Sequence, residues 1–346
     1  MTIDELERNL KTGVLESIYL LYGEEEFLLE NSVKKIKKMF GELLNGINYI
    51  QLDDKNVSGL ISDIETPAFG YEKKLIIIKN SGLFKKELKG KKKDESKSKK
   101  NVASNTLQEK IATYIEENMN IIKKSVILVF IEQEIGTSSL QKVIEKYGVV
   151  CNFESLKPIQ ISKRIKSLCN AYKVNIDERT INYFIETCGT KMISLINEIR
   201  KLIEYVGENG TITIKDIDML SIKELDSVIF DLTDAIGKKN SADSIRILKE
   251  LLYNKEPIQK ILITLYNHLK KIYLTKLADK YKEAATEVLF LKPNQMFLIT
   301  KYKKQASYFK QEELRNMLQK LIDLDYKSKQ GLIDVNIGLE SILCMM

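Results

Sequence analysis

Short apolar runs and segments of helical period alternate over the first 155 residues. The β-rich runs are Ile18–Gly23, Ile47–Leu52, Lys74–Lys79, Val126–Glu132 and Val149–Phe153. Between them, helical spacing is expected near 25–42, 56–65, 105–120 and 138–147. KLIIIK and VILVFIE are unbroken apolar stretches, as strands covered on both faces require. Such strands alternating with helices predict a parallel sheet flanked by helices.

After Lys157-Pro158 nearly everything has helical period. Three amphipathic helices are expected at Ile159–Tyr172, Asp177–Cys188 and Lys191–Val206, with Asp177 as an N-cap and Gly189 as a C-cap. Gly207–Gly210 is a breaker, and Thr211–Leu220 reads as a short extended piece running into a helical turn. From about residue 224, further helices are expected over 224–237, 240–253, 256–280, 293–305, 310–329 and 334–345. Pro257 suits a first turn there. The pattern therefore predicts an α/β domain, a small helical domain and a larger all-α domain. A chain of 346 residues is long enough for two or three.

Hydrophobic residues make up 44% and charged residues 30%, a globular composition. No stretch approaches the ~20 apolar residues that span a bilayer. MTIDELERNLKTG has no apolar run behind a basic start, so a cytoplasmic protein with no membrane partner is expected. The net charge of +7 is mostly local. Residues 85–100 hold nine lysines against Glu87, Asp94 and Glu95, leaving the rest of the chain near neutral. This Lys-rich run is expected to be an extended, solvated insertion over 84–104, and Lys91, Lys92 and Lys93 are candidate contacts to DNA phosphates.

Several chemistries are disfavoured. His268 is the single histidine, with no nucleophile motif beside it. Cys151, Cys169, Cys188 and Cys344 are scattered and read as small buried hydrophobes in a reducing compartment. No metal site, cofactor or catalytic residue is expected.

An α/β domain followed by a small helical one is the layout of an AAA+ module, which makes the turn after the first strand the candidate nucleotide site. A P-loop needs G-x-x-x-x-G-K-[ST] after the first strand, where backbone N–H groups and the Lys hold phosphates. Here the turn begins at Gly23, but the second Gly falls at Leu28, the Lys at Leu29 and the hydroxyl at Glu30. Glu24, Glu25 and Glu26 add repulsion. In VILVFIEQE the acid expected to hold Mg²⁺ falls at Ile131, leaving only Glu132.

Five ordered segments resemble the delta subunit of the bacterial DNA polymerase III clamp loader. They are IYLLYGEEEFLLENSVKKIK (18–37), ETPAFGYEKKLIIIKN (65–80), CGTKMISLINEIRKL (188–202), IFDLTDAIGKKNSADSIRILKELL (229–252) and DYKSKQGLIDVNIGLESIL (325–343). The resemblance implies an α/β plus all-α fold. A degenerate AAA+ parallel-sheet domain would occupy 1–157, a three-helix lid 158–222 and a C-terminal helical collar for oligomerisation 223–346. It implies a subunit that is no enzyme by itself. Such a subunit binds the sliding clamp (beta), opens or holds open its ring, and works with delta-prime, the tau/gamma ATPase subunits and primer–template DNA. Active relatives carry a nucleotide-contacting Arg where this chain has Met192, after Gly189-Thr190-Lys191. The family's clamp contact is a hydrophobic pair before the third strand, which maps to Ala68 and Phe69, flanked by Pro67 and Gly70. The first of the pair is usually a larger aliphatic. Taken alone, Phe69 either anchors a partner or packs on its own domain. Asn197, Glu198 and Lys201 belong to the family-like lid segment without an evident chemical role. A delta-prime-like subunit, an AAA+ ATPase loader and a stand-alone nucleic-acid-binding protein are the alternatives. The missing P-loop Lys and the absent S-R-C and zinc motifs count against the first two.

Overall fold

The computed structural model describes residues 1–84, 95–291, 295–296 and 298–345, with side chains from 106 onward in the helix that begins at Glu95. The chain divides into two compact units, Met1–Ser155 and Leu156–Met346.

In the first unit the five expected strands form one parallel sheet. They are β1 (Ile18–Tyr22), β2 (Tyr49–Leu52), β3 (Lys74–Lys79), β4 (Val126–Glu132) and β5 (Val149–Asn152), in the order β2-β3-β4-β1-β5. Leu20 of β1 lies beside Phe130 of β4, and Ile78 of β3 also lies beside Phe130. The helices are α1 (Ile3–Lys11), α2 (Glu26–Phe40), α3 (Leu60–Glu65), α4 (Glu95–Glu117), α5 (Met119–Ser125) and α6 (Ser139–Tyr147). Because side chains alternate along a strand, Ile18, Leu20, Ile76, Ile78, Leu128 and Phe130 share one face. They pack with Leu60 and Ile64 of α3, Ile111 and Ile115 of α4, and Leu140 and Ile144 of α6. Tyr19, Leu21, Ile77 and Val129 face the other way and are buried too. This is why these strands read as unbroken apolar runs.

Three elements differ from the sequence pattern, among them α5, most of which lies beyond the helix expected over 105–120. α1 lies outside the expected alternation. It is held by a capping box in which Thr2 Oγ1 accepts from the Glu5 amide and Glu5 Oε2 accepts from the Thr2 amide. α4 starts at Glu95, ten residues before the expected helix, so 95–104 is not extended. No Gly or Pro interrupts residues 95–117, and Lys, Glu and Gln are good helix formers. Phe84, the first residue of the expected insertion, is a buried core residue, as is Leu83 before it.

The second unit is helical: α7 (Pro158–Ala171), α8 (Glu178–Cys188), α9 (Met192–Val206), α10 (Ile214–Leu220), α11 (Leu225–Gly237), α12 (Ser241–Tyr253), α13 (Ile258–Tyr281), α14 (Ala285–Val288), α15 (Leu298–Tyr308), α16 (Gln311–Lys329) and α17 (Val335–Cys344). Asp177 caps α8 through the Thr180 amide at 2.7 Å, and Gly189 ends it at φ +84°. Pro257 is the N-cap of α13, one position before the first turn. Ile229, Leu232, Leu248, Leu265, Leu314 and Leu339 tie α11, α12, α13, α16 and α17 into one core. Within it His268 is buried against Phe230 and Tyr302. Its Nε2 meets Gln305 Oε1 at 2.7 Å, while Gln305 Nε2 donates to Phe230 O and Asp234 Oδ1. The amide oxygen can only accept, so the His268 proton sits on Nε2. Burial lowers its pKa to about 4.

Cys151, Cys169 and Cys188 are buried, and burial raises their thiols to about 11, 11 and 12. Cys344 is exposed, contrary to expectation, because it ends the last helix. No helix among the described residues is long and apolar enough to cross a membrane.

Candidate functional site

In a parallel sheet the turns leaving the strands lie at one end and the turns entering them at the other. The P-loop-like turn belongs to the first set and the Phe69 turn to the second.

After β1 the chain enters α2 through Gly23, Glu24 and Glu25. Three amides of this turn are taken by protein carbonyls. Gly23 N donates to Glu132 O (3.3 Å), Glu25 N to Phe153 O (2.9 Å) and Glu26 N to Glu24 O (3.0 Å). Gly23 has φ +133°, and a Cβ there would lie 2.3 Å from Phe153 O. This glycine therefore serves a close backbone approach. Leu28 and Leu29 point into the core, and Glu30 is exposed. At the end of β4, Ile131 is half-buried. Buried Glu132 accepts from Ser81 N (2.9 Å) and Ser81 Oγ (2.6 Å), which fastens β4 to the segment after β3. Among the described residues no group of three or more His, Cys, Asp or Glu side chains could hold a metal ion.

In the second unit Met192 is 3% exposed and packs in the core at the start of α9. The Glu224 carboxylate occupies the space beside Gly189, where a Cβ would lie 1.8 Å from Glu224 Oε2. Burial raises the pKa of this carboxyl group. Glu198 Oε2 accepts from the Ile222 amide (2.9 Å) and pairs with Lys201 Nζ (2.6 Å), which also donates to Leu220 O. Two residues of the lid-like segment thus hold the chain between α10 and α11. Asn197 is exposed.

The turn entering β3 is built differently. α3 ends at Glu65, with Thr66 donating through N and Oγ1 to Ser62 O. Pro67 follows. Tyr71 N donates to Ala68 O at 3.0 Å, and Gly70 has φ +80°. A positive φ at the third residue of a hydrogen-bonded four-residue turn is the mark of type II, which glycine supplies without strain. Phe69 is the second residue and is 89% exposed. It therefore does not pack on its own domain. Ala68 is half-buried and Pro67 exposed. Lys74, the first residue of β3, is only 2% exposed, and its Nζ donates to Asp63 O (2.7 Å) and Thr66 O (2.5 Å). Sequence pattern missed this contact; its signal was a Lys opening an apolar strand. Tyr71 Oη donates to Glu42 Oε2 at 3.3 Å. Lys91, Lys92 and Lys93 lie outside the described residues.

A parallel sheet with a P-loop-like turn that lacks the P-loop residues, followed by an all-helical unit, is the fold of a degenerate AAA+ (P-loop NTPase-like) module. A model of the DNA polymerase III delta subunit matches residues 19–134, and one of that subunit's C-terminal domain matches residues 226–346. The DNA polymerase III subunit delta of Bacillus subtilis (strain 168) is 26% identical over 343 residues, covering 98% of this chain and 95% of that protein. The probable DNA polymerase III subunit delta of Aquifex aeolicus (strain VF5) is 25% identical over 322 residues, covering 91% and 86%. A solved structure described as Bacillus subtilis DNA clamp loader delta protein (YqeN) superposes with a TM-score of 0.68 at 22% identity, covering 99% of this chain and 98% of that one. The chain belongs to the DNA polymerase III delta subunit family.

Proposed function

We propose that this chain is the non-catalytic delta subunit of a clamp loader, which binds a sliding clamp through the Phe69 turn and holds its ring open. The observation that carries the reading is an aromatic side chain, 89% exposed on a type II turn, at the position where the family places its clamp contact. An exposed phenyl ring on a fixed turn offers apolar area with little ordering cost, the property of an anchor residue. Ala68 adds little area, so Phe69 dominates the contact.

The mechanism makes and breaks no bond. Binding shifts the ring toward its open form only by the difference in affinity for the two forms. The filled hydrogen bonds of Gly23 and Glu25, and buried Leu28 and Leu29, support a chain that neither binds nor hydrolyses ATP. Energy then comes from partner ATPase subunits, with delta-prime beside them. In this reading 158–222 act as a lid and 223–346 as a collar. Exposed Tyr326, Leu332 and Ile337 give the collar apolar area for neighbouring subunits. The Lys-rich run, with Lys91, Lys92 and Lys93, is assigned to phosphates of primer–template DNA, a contact of charge and not of sequence. The test is a titration of the purified chain into the sliding clamp without nucleotide. Saturable binding that added ATP does not alter is expected; no binding contradicts the proposal.

A further inference from the structure

We propose that Lys74 is the positioning residue of the Phe69 turn, holding it against β3 so that the aromatic ring is presented in one place. This rests on the clamp-contact reading above and adds the device that aims the contact.

α3 has six residues, too few to be stable on its own. Its last carbonyls have no partner within the helix and need donors from elsewhere. Ser62 O is served by Thr66. Asp63 O and Thr66 O are served by the Lys74 ammonium, at 2.7 and 2.5 Å. A cation at this end also complements the helix dipole.

Lys74 starts β3, which lies between β2 and β4 with Lys74 beside Val126. The route from sheet to anchor is therefore short: β3 backbone, Lys74 side chain, Thr66 carbonyl, then Pro67, Ala68 and Phe69. The turn's own bond, Tyr71 N to Ala68 O, sets its shape, but a surface turn closed by one such bond opens readily unless its entry is held. The tether from Tyr71 to Glu42 is long, at 3.3 Å, and exposed.

A lysine is a costly choice for this position. Its four neighbours, Leu75 to Ile78, are buried and apolar. Removing an ammonium from water is unfavourable unless donors find acceptors. Burial indeed lowers the pKa of Lys74, and nearby Asp63 only partly offsets this. A methionine would fill similar space without the charge, but would leave two carbonyls unserved and the turn held only by its chain ends and the long, exposed bond from Tyr71 to Glu42.

The test compares the full chain with Lys74→Met, Phe69→Ala and the double variant. Nucleotide-free clamp affinity and amide hydrogen exchange of Tyr71 are both read. Lys74→Met should weaken clamp binding about tenfold, the scale of lost pre-organisation in one loop. It should speed Tyr71 exchange about tenfold or more. On the Phe69→Ala background it should change affinity less than twofold, because Lys74 acts only through Phe69. Equal losses on both backgrounds would mean a general structural role and overturn the proposal, as would unchanged Tyr71 exchange. Should Phe69→Ala bind as the parent chain does, the clamp-contact reading fails, while Tyr71 exchange still decides whether Lys74 holds the turn. If Lys74→Met does not fold, Lys74→Gln, which keeps a neutral donor, is read the same way and should fall between the parent and a chain without the tether.

Discussion

Replacing Phe69 with alanine separates binding from folding, because the ring is exposed and packs on nothing in its own unit. The side chain is 89% exposed, so it contributes almost nothing to the packing of its own unit. Its loss should move unfolding free energy by less than about 0.5 kcal/mol. Sequestering a phenyl side chain from water is worth about 1.5–3 kcal/mol, and central anchor residues reach 2 kcal/mol or more. With Ala68 as its small partner, Phe69 should supply the upper part of that range. A loss of about 2–3 kcal/mol weakens the complex by roughly 30- to 150-fold. Calorimetric titration against the sliding clamp gives the affinity, and thermal unfolding followed by circular dichroism gives the stability. Phe290→Ala is the control: that residue is 90% exposed, in the second unit, and its loss should leave clamp affinity unchanged. A loss of less than threefold for Phe69→Ala would refute the anchor. A fall of several degrees in melting temperature would refute the exposed placement.

Other outcomes follow from the same geometry. Leu29→Lys places the missing P-loop cation in sequence, yet the Glu25 amide stays bonded to Phe153 O and Leu29 is buried; no ATP binding should appear in an equilibrium assay, and stability should fall by about 3 kcal/mol. Gly23→Ala drives a Cβ against the Phe153 backbone at φ +133°, and denaturant titration should show a loss of about 3 kcal/mol with or without nucleotide. His268 is held neutral, with its folded pKa of about 4 below the ordinary 6.5, so its contribution is complete above pH 6.5 and is lost as pH falls toward 4. Between pH 7 and pH 5 that loss is about 2 kcal/mol, and it should be absent in His268→Gln when the two proteins are compared by denaturant titration. Lys271 and Asp234, the charged groups acting on the ring, have opposed effects on it, and burial dominates both.

Most of the architecture was legible because strand and helix patterns differ sharply here. Lys74–Lys79 and Val126–Glu132 occupy the residues their apolar runs outline, since both faces of the sheet are covered. The caps at Asp177 and Gly189 were readable because each needs one side chain or one positive φ. α1 was equally written in the sequence, as Thr2, Glu5 and the buried series Ile3, Leu6 and Leu10, but it precedes the alternation and does not belong to its period. The start of α4 was hidden by charge: a Lys-rich run reads as solvated, and a solvated run can still be helical. Counting residues found the place of Leu28 and Leu29 in the P-loop-like turn. It could not show that the Gly23 and Glu25 amides are already bonded, because the acceptors Glu132 and Phe153 come from other strands or their ends. The exposure of Phe69 and the grip of Lys74 on Thr66 are likewise tertiary facts, invisible to local spacing.

Opening of the ring is read on clamps closed around nicked circular DNA. The purified chain is added without ATP and without other subunits, and the release of clamps is followed with time. Release should be at least tenfold faster than the spontaneous rate and fall back toward that rate with Phe69→Ala. Clamps that stay on DNA equally long with and without the chain, at concentrations where it binds them, would contradict the proposed ring opening.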